Sequence, residues 1–454
     1  MERTLESELK RWQLSPVRKP LLLLGARQVG KTWLMQHFGH KNYHSVVYIR
    51  FDRNERMKRI FETSNFDMHE LLLLLQAETK TKVQAGETLI ILDEIQECPA
   101  ALTSLKYFCE DLPDYHVMAA GSLLGVKQHH GTGFPVGKVN TMTLYPLSFR
   151  EFMSAMGNDF DIDFIQKRKW DSLKLISDRL SLLLKQYYYI GGMPEAVSTF
   201  LRTQDFGEVR RVQNEILENY ANDFSKHVPT ALAAKLSLLW ESVPQQLAKE
   251  NKRFVYKEVQ SNMRARELEA AMDWLQRAGL IYKVERINEP ALPISAYRDG
   301  AFKLYFLDVG LLGAKCELDI STILEKNAIF REFKGALSEQ YVQQEIRVSS
   351  DFSPHYWQSD STKAEIDFIV QTCGNVIPIE VKAENNTKAK SLLTYCRKYT
   401  PRMAVRISMN DQSQNLISSE NSPSTILFDL PLYAAFMLPD ICRDALCNPP
   451  QAEI

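Results

Sequence analysis

The sequence predicts an α/β chain: a parallel sheet first, a helical stretch after it, and a second, mixed α/β region at the end. Three observations predict this. Between residues 20 and 122, short unbroken apolar runs alternate with helix-like segments, the pattern of a parallel sheet covered on both faces. The run LLLLG (21–25) passes straight into GARQVGKT (25–32) and then into a helical segment, so a glycine-bearing turn joins a strand to a helix N-terminus. Far downstream, EIDFIVQ (365–371) and VIPIEVK (376–382) flank TCGN (372–375), a hairpin turn sequence.

Composition sets the outer bounds. The chain has 454 residues, 45% of them hydrophobic and 24% charged, with a net charge of -1. That suits about three globular domains at roughly 150 residues each. A near-neutral chain offers nucleic acid no bulk attraction, so any such partner needs a local basic patch. The seven cysteines include no C-x-x-C and no Cys/His set at zinc spacing, which predicts reduced thiols in a cytoplasmic protein. The charged start MERTLESELKRW is not that of a signal peptide. The leucine runs at 21–24 and 71–75 are far shorter than the roughly 20 residues of a membrane span, so no membrane partner is expected.

The elements follow in order. Residues 1–18 read as a helix with basic and apolar faces. Strands are expected at LLLLG, SVVYIRF, TLIILDE and HVMAAGS, with helices at KTWLMQHFG, MHELLLLLQAETK and ALTSLKYFCED between them. The glycines and prolines of 127–152 predict loops and an edge hairpin. From 161 to 250 the pattern is helical, interrupted by YYYIGGMPEAV (187–197). There Gly191-Gly192 permits a tight helix-to-helix turn and Pro194 starts the next helix. A helix ending at Gly279, then a strand, a loop and a strand, suits a winged helix. The last block opens with the helix REFKGALSEQYVQQEIRV (331–348) before the hairpin. The expected division is 1–155 for the nucleotide-binding domain, 156–250 for a helical lid or linker, 251–320 for a winged-helix-like domain and 321–454 for the terminal α/β domain.

GARQVGKT fits G-x-x-x-x-G-K-[ST] in the strand-to-helix setting that this motif requires. Its backbone N–H groups and the helix N-terminus suit phosphate oxygens. The expected cradle is Gly25, Ala26, Arg27, Gln28, Val29, Gly30, Lys31, Thr32 and Trp33. Lys31 should reach the β- and γ-phosphates and Thr32 should ligate Mg²⁺. Asp93 ends the strand LIILDE and is placed to hold Mg²⁺ through water, while Glu94 is placed to orient and activate the attacking water. Ser122, at the end of the next strand, either senses the γ-phosphate or caps a helix. Arg27, Lys138 and Arg150 stay open as finger candidates. No N-K-x-D guanine-reading motif follows, so ATP is taken as the nucleotide.

The hairpin carries a second set. Residues two apart in a strand share a face, so Glu380 and Lys382 point one way. A turn at Cys373-Gly374 makes opposing residue numbers sum to 747 and sets Asp367 against Glu380; a turn at Gly374-Asn375 sets Asp367 against Lys382. In both registers the three share a face, because an even loop preserves parity. Carboxylates brought this close invite a cation, and hard oxygen donors suit Mg²⁺ or Mn²⁺. Lys382 beside such a metal suits phosphodiester hydrolysis. Glu339 on the preceding helix is a further ligand candidate. The competing reading is a solvated face of exposed ion pairs.

Taken in order, GARQVGKT, ILDEIQ, LYPLSFREF, GGMPEAV, YANDFSKH, FKLYFLDVGLL and EIDFIV…IPIEVKAE resemble a bacterial and archaeal family of AAA-like ATPases. That family carries a C-terminal domain of unknown function similar to the PD-(D/E)XK nuclease superfamily, with a winged-helix-like piece between. The resemblance spans roughly residues 1–430. It implies a restriction-endonuclease-like C-terminal fold, with Asp367, Glu380 and Lys382 matching D…(D/E)-x-K and Glu339 matching the helix acid. It implies ATP with Mg²⁺ in the first domain, and a C-terminal module acting on or holding DNA or other nucleic acid. The alternative is an ATP-driven conformational switch, or self-assembly into a homo-oligomer, whose module binds a partner without cutting. Asp223, Lys226 and His227 either pack the lid or reach the nucleotide. The basic residues of 251–278, Arg264 and Arg266 among them, either touch DNA phosphate or pack domains together.

Overall fold

The computed structural model describes every residue except 122–134, 227, 250–251, 262–263, 325–330, 360–361, 384–388, 420–421 and 448–454. The described residues form two compact units, residues 1–145 with 277–280, and residues 146–276 with 281–454.

The first unit is built on five strands, β1 (Leu21–Leu24), β2 (Ser45–Arg50), β3 (Thr88–Asp93), β4 (His116–Ala120) and β5 (Asn140–Thr143). They are all parallel, in the order β2-β3-β4-β1-β5. Every residue of β1, β3 and β4 is buried, which is why these strands read as unbroken apolar runs rather than alternating ones. Among the described residues, five helices accompany them, α1 (Glu6–Leu14), α2 (Lys31–Asn42), α3 (Glu55–Thr63), α4 (Met68–Thr79) and α5 (Pro99–Asp111). The carboxylate of Asp67 accepts from the N–H groups of His69 and Glu70 to start α4, and Pro99 starts α5 at the position where its missing N–H costs nothing. The short helix α3, started by the Asn54 side chain, has no counterpart in the sequence reading.

Of the stretch 127–152, where loops and an edge hairpin were expected, residues 127–134 lie outside the described residues, and 140–143 form a single strand lying parallel to β1. The outer edge of β1 carries backbone groups that need partners. Asn140 N–H donates to Pro20 at 2.9 Å and Leu144 N–H donates to Leu24 at 2.8 Å.

The second unit holds the long helices and an eight-stranded mixed sheet. Its strands are β6 (Ile281–Ile287), β7 (Arg298–Phe306), β8 (His355–Gln358), β9 (Glu365–Thr372), β10 (Asn375–Val381), β11 (Met403–Ser408), β12 (Ser413–Ser419) and β13 (Ser422–Pro431). The order is β12-β13-β11-β10-β9-β8-β6-β7. The helix Ala265–Arg277 and the antiparallel pair β6/β7 do give the helix, strand, loop and strand expected of 251–320. However, β6 also pairs with β8, with Glu285 opposite His355 and Ile287 opposite Trp357. The middle and terminal segments therefore complete one sheet, with no boundary at 320.

The segments PLSF (146–149), GGMPEAV and FLDVGLL meet in this unit. Gly192 N–H donates to Asp308 Oδ2 at 2.6 Å, and Leu147 N–H donates to the Gly192 carbonyl at 2.7 Å. A Cβ on Gly192 would overlap the Leu147 backbone, and one on Gly191 (φ +72) would overlap the Asp308 carboxylate. Burial pushes the Asp308 carboxyl up to about 6, against N–H donation from Gly192, Leu311 and Gly310. The two glycines thus serve close packing. Helix Arg331–Ser349 adds buried polar clamps: Gln340 both accepts from and donates to the Phe306 backbone at 2.8 Å, and Gln344 accepts from Val309 N–H at 3.1 Å.

Cys373 and Cys447 are joined in a disulfide, where the sequence reading expected free thiols throughout. The pair is separated by 74 residues, so no spacing pattern marks it. Among the described residues, no helix is long and apolar enough to cross a membrane.

Candidate functional site

In the first unit the parallel strands bring the C-terminal ends of β1 and β3 to the same edge of the sheet, which is where α/β sheets place ligands. The loop Gly25–Gly30 leaves β1 there. Gly25 has φ +151, and a Cβ on it would overlap the Leu144 carbonyl oxygen. Gln28 and Gly30 also take positive φ, at 65° and 95°. The chain thus curls tightly before α2 begins at Lys31.

The Lys31 ammonium folds back on the loop and donates to the carbonyls of Gly25 at 3.0 Å and Ala26 at 2.7 Å. Burial pulls its pKa down to about 8, partly offset by the charges of Glu94 and Asp93. Thr32 Oγ1 donates to Asp93 Oδ2 at 2.7 Å, so the two expected Mg²⁺ ligands already touch. Glu94 adopts φ +52 at the end of β3, and its carboxylate accepts from Gln96 Nε2 at 2.6 Å. Trp33 is exposed and stacks on His37 at 4.6 Å. Lys138 pairs with Glu110 at 2.8 Å. Ser122, expected to sense phosphate, lies outside the described residues, as do His227 and the side chain of Lys226.

Two residues of this site escaped sequence reasoning. Tyr48 on β2 donates to Asp93 Oδ2 at 2.9 Å, so Asp93 is held by two hydroxyls. Arg3 donates to the Val29 carbonyl at 3.0 Å and to the Tyr145 carbonyl at 2.5 Å, tying the chain start to the phosphate loop. The only trace of Tyr48 is its place in a strand next to β3; Arg3 left no signal.

This geometry fits Mg²⁺ and a nucleoside triphosphate. A buried ammonium rests on carbonyls beside a loop of backbone N–H groups, and a hydroxyl touches a carboxylate where a hard cation would sit. The metal, when bound, supplies charge neutralisation at the phosphates.

The second unit contains the other expected set. The β9/β10 ladder runs from Asn375 opposite Thr372 to Ile379 opposite Phe368, the 747 register, with Cys373 and Gly374 as the turn. Both turn residues have positive φ, 48° and 68°, as a two-residue primed turn requires. Ile366, Phe368, Val370, Ile377, Ile379 and Val381 are all buried on the opposite face. Asp367 Oδ2 accepts from Val381 N–H at 2.8 Å. Pro378 sits in β10 just before the pairing with β11 begins at Ile379, where its missing N–H breaks no ladder on that side.

Lysines occupy this polar face. Lys382 pairs with Glu380, Lys252 with Glu339, and Lys303 with Glu365. Tyr305 OH donates to Glu339 at 3.4 Å. Burial, then the charges of Glu339 and Glu380, hold the Asp367 carboxyl well above the usual range. Burial also raises Glu380, against the pull of Lys382. Burial works on Glu339 in the same direction, but Lys252 and Lys303 outweigh it and leave its carboxyl below the ordinary value. The expected residues therefore do come together, in one of the two registers left open by the sequence. They do not present converging donors, however: among the described residues, no group of three or more His, Cys, Asp or Glu side chains is arranged to hold a metal ion. In this conformation the cluster does not fit a divalent cation. Lys252 and Lys303, which pair with Glu339 and Glu365, were both missed as members of the site.

A phosphate loop after β1, with an acidic pair closing a strand two places away in a parallel sheet, defines the class: the chain is a P-loop ATPase. Residues 17–153 match the family described as an AAA domain. Residues 181–322 and 334–427 match two domains of unknown function, DUF8612 and DUF4143. No curated protein matches the chain in sequence. Among solved structures, the chain is similar to the Walker-type ATPase PABY2304 of Pyrococcus abyssi, at 15% identity and TM-score 0.43, over 69% of this chain and 95% of that one. It is also similar to the Aeropyrum pernix ORC1 protein solved in complex with DNA, at 12% identity and TM-score 0.29, over 70% and 93%. Superpositions this loose carry nothing about the chemistry of this chain.

Proposed function

We propose that ATP turnover in the first unit drives a conformational switch, and that the nuclease-like second unit holds nucleic acid without cutting it. The observation that carries the switch is the Thr32–Asp93 hydrogen bond beside the folded-back Lys31. In this reading Lys31 moves from the carbonyls of its own loop to the β- and γ-phosphates. Thr32 and Asp93 take Mg²⁺, and Glu94 orients the attacking water. The phosphate loop from Gly25 to Trp33 wraps the nucleotide.

Nucleic acid is favoured by an open, mostly apolar groove of about 580 Å³ lined by Arg253, Phe254, Val255, Tyr256, Lys257, Arg264 and Ala265. Its basic side chains suit phosphates, and Tyr256 beside them suits stacking on a base. Cleavage by the Asp367, Glu380 and Lys382 set is the other expectation. The lysine pairing of the carboxylates favours the non-cutting reading.

Two measurements test the proposal. Purified protein is expected to hydrolyse ATP with Mg²⁺, and Lys31→Ala is expected to lose at least about a hundredfold of that rate, on the scale of a lost transition-state contact; unchanged turnover sinks the switch. Incubation with DNA and RNA under Mg²⁺ or Mn²⁺ is expected to leave both intact. Cutting that Asp367→Ala abolishes would replace this reading with the nuclease.

A further inference from the structure

We infer that the chain's own Lys252 and Lys303 stand in the C-terminal carboxylate cluster as built-in counter-ions, in the place that a divalent cation would take. The inference rests on the non-cutting reading above and deepens it.

Lys303 lies on β7 with its side chain wholly inaccessible to solvent. Its ammonium pairs with Glu365, stands 3.9 Å from Glu339 and lies 4.9 Å above the ring of Tyr356. An ammonium so deeply placed is tolerated only because carboxylates surround it. Tyr305, two residues on and so on the same face of the strand, donates to Glu339 as well. Lys252 reaches Glu339 from before the helix Tyr256–Val259, with 12% of its side chain exposed and 8% of its partner's. Its neighbour segment is fixed by Phe254 N–H donating to the Phe302 carbonyl at 2.8 Å, and by Val255 N–H donating to Gln246 Oε1 at 2.7 Å.

Charge balance points the same way. Glu339, Glu365, Asp367 and Glu380 bring four carboxyl groups to the cluster, and Lys252, Lys303 and Lys382 bring three ammonium groups. With every group charged, the cluster carries one negative charge. A divalent ion added to it would leave excess positive charge in a buried place, an expensive state. The geometry agrees, because each of Glu339, Glu365 and Glu380 is turned onto its lysine. Asp367 gives one oxygen to the Val381 backbone. The buried Glu380 Oε2 has no hydrogen-bond partner, while its Oε1 is held by Lys382.

The test uses the nucleotide-free, full-length protein, so that metal carried with ATP does not intrude. Mn²⁺ binding is read by electron paramagnetic resonance, and unfolding by melting with Mn²⁺ or with EDTA. Wild-type protein is expected to bind no stoichiometric Mn²⁺ and to melt at the same temperature in both. Lys252→Met, Lys303→Met and the double variant uncover carboxylates. At least one is expected to take up one Mn²⁺ per chain and to melt about 2 °C or more higher with it, the scale of a modest binding free energy. Glu339→Gln added to that variant should abolish the gain. If Lys303→Met does not fold, Lys252→Met, nearer the surface, carries the test. Wild-type uptake of one Mn²⁺ that Asp367→Asn removes would overturn the inference, and so would folded variants that gain no affinity. Either result leaves the non-cutting reading intact, since only the cleavage assay decides that.

Discussion

Glu345 offers a prediction that can be worked through from the structure. It lies wholly buried on helix Arg331–Ser349, where Oε1 accepts from Phe149 N–H at 2.8 Å and Oε2 has no partner. Burial pushes its carboxyl up to about 8, with the charge of Glu151 adding to the rise and the Phe149 N–H opposing it. In the unfolded chain the group ionises near its ordinary value of 4.5. Between those two pH values the folded state holds a proton that the unfolded state has lost. Stability therefore falls as pH rises, by up to about 1.4 kcal/mol per pH unit and by about 4 kcal/mol in all near pH 8. Glu345→Gln keeps an acceptor for Phe149 and removes the ionisation. Urea unfolding of both proteins from pH 5 to pH 8 should show the variant gaining steadily on the wild type, with the gap widest at the alkaline end. Parallel pH profiles would refute the argument, because they would mean that Glu345 ionises in the folded state as freely as in the unfolded one.

Further substitutions probe the units separately. Gly25→Ala places a Cβ on the Leu144 carbonyl oxygen at φ +151, so ATP affinity measured by titration calorimetry should fall about tenfold or more, the scale of about 1–3 kcal/mol of local strain; unchanged affinity would show that the cradle tolerates a wider loop. Arg406 and Asp429, opposite each other on β11 and β13, form a buried two-point pair at 2.5 and 2.9 Å. Arg406→Met should cost about 3 kcal/mol in urea unfolding, because it leaves the buried carboxylate with only the Ser413 and Asn415 hydrogen bonds, and adding Asp429→Leu should recover part of it.

The parts of this protein legible in its sequence are those fixed by local chemistry. Lys31 and Thr32 follow a strand and open a helix, so their site is visible without tertiary knowledge. Asp93 ends a fully buried strand, where a carboxylate has no packing purpose. Strand parity set Asp367 and Glu380 on one face before any register was known, and the Cys373-Gly374 turn then selected between the two registers. What stayed hidden depends on contacts between distant residues. Lys303 meets Glu365 across 62 residues and Lys252 meets Glu339 across 87. Neither lysine differs in sequence from a surface lysine, and both changed the character of the cluster. The parallel placement of β5 was illegible for a related reason: four residues flanked by loop signals say nothing about which edge they will join.

The eight-stranded sheet bears on how this protein can be taken apart. The terminal family match begins at residue 334, an inviting place to cut. A fragment starting there leaves β6 and β7 behind and strips β8 of its neighbour. The row of backbone N–H and C=O groups so uncovered is a ready template for pairing with another chain, and aggregation of such a fragment would report the cut rather than the biology. Dissection has to respect the sheet: the smallest portion worth expressing alone begins before residue 252, among residues that the sequence match assigns to a different domain.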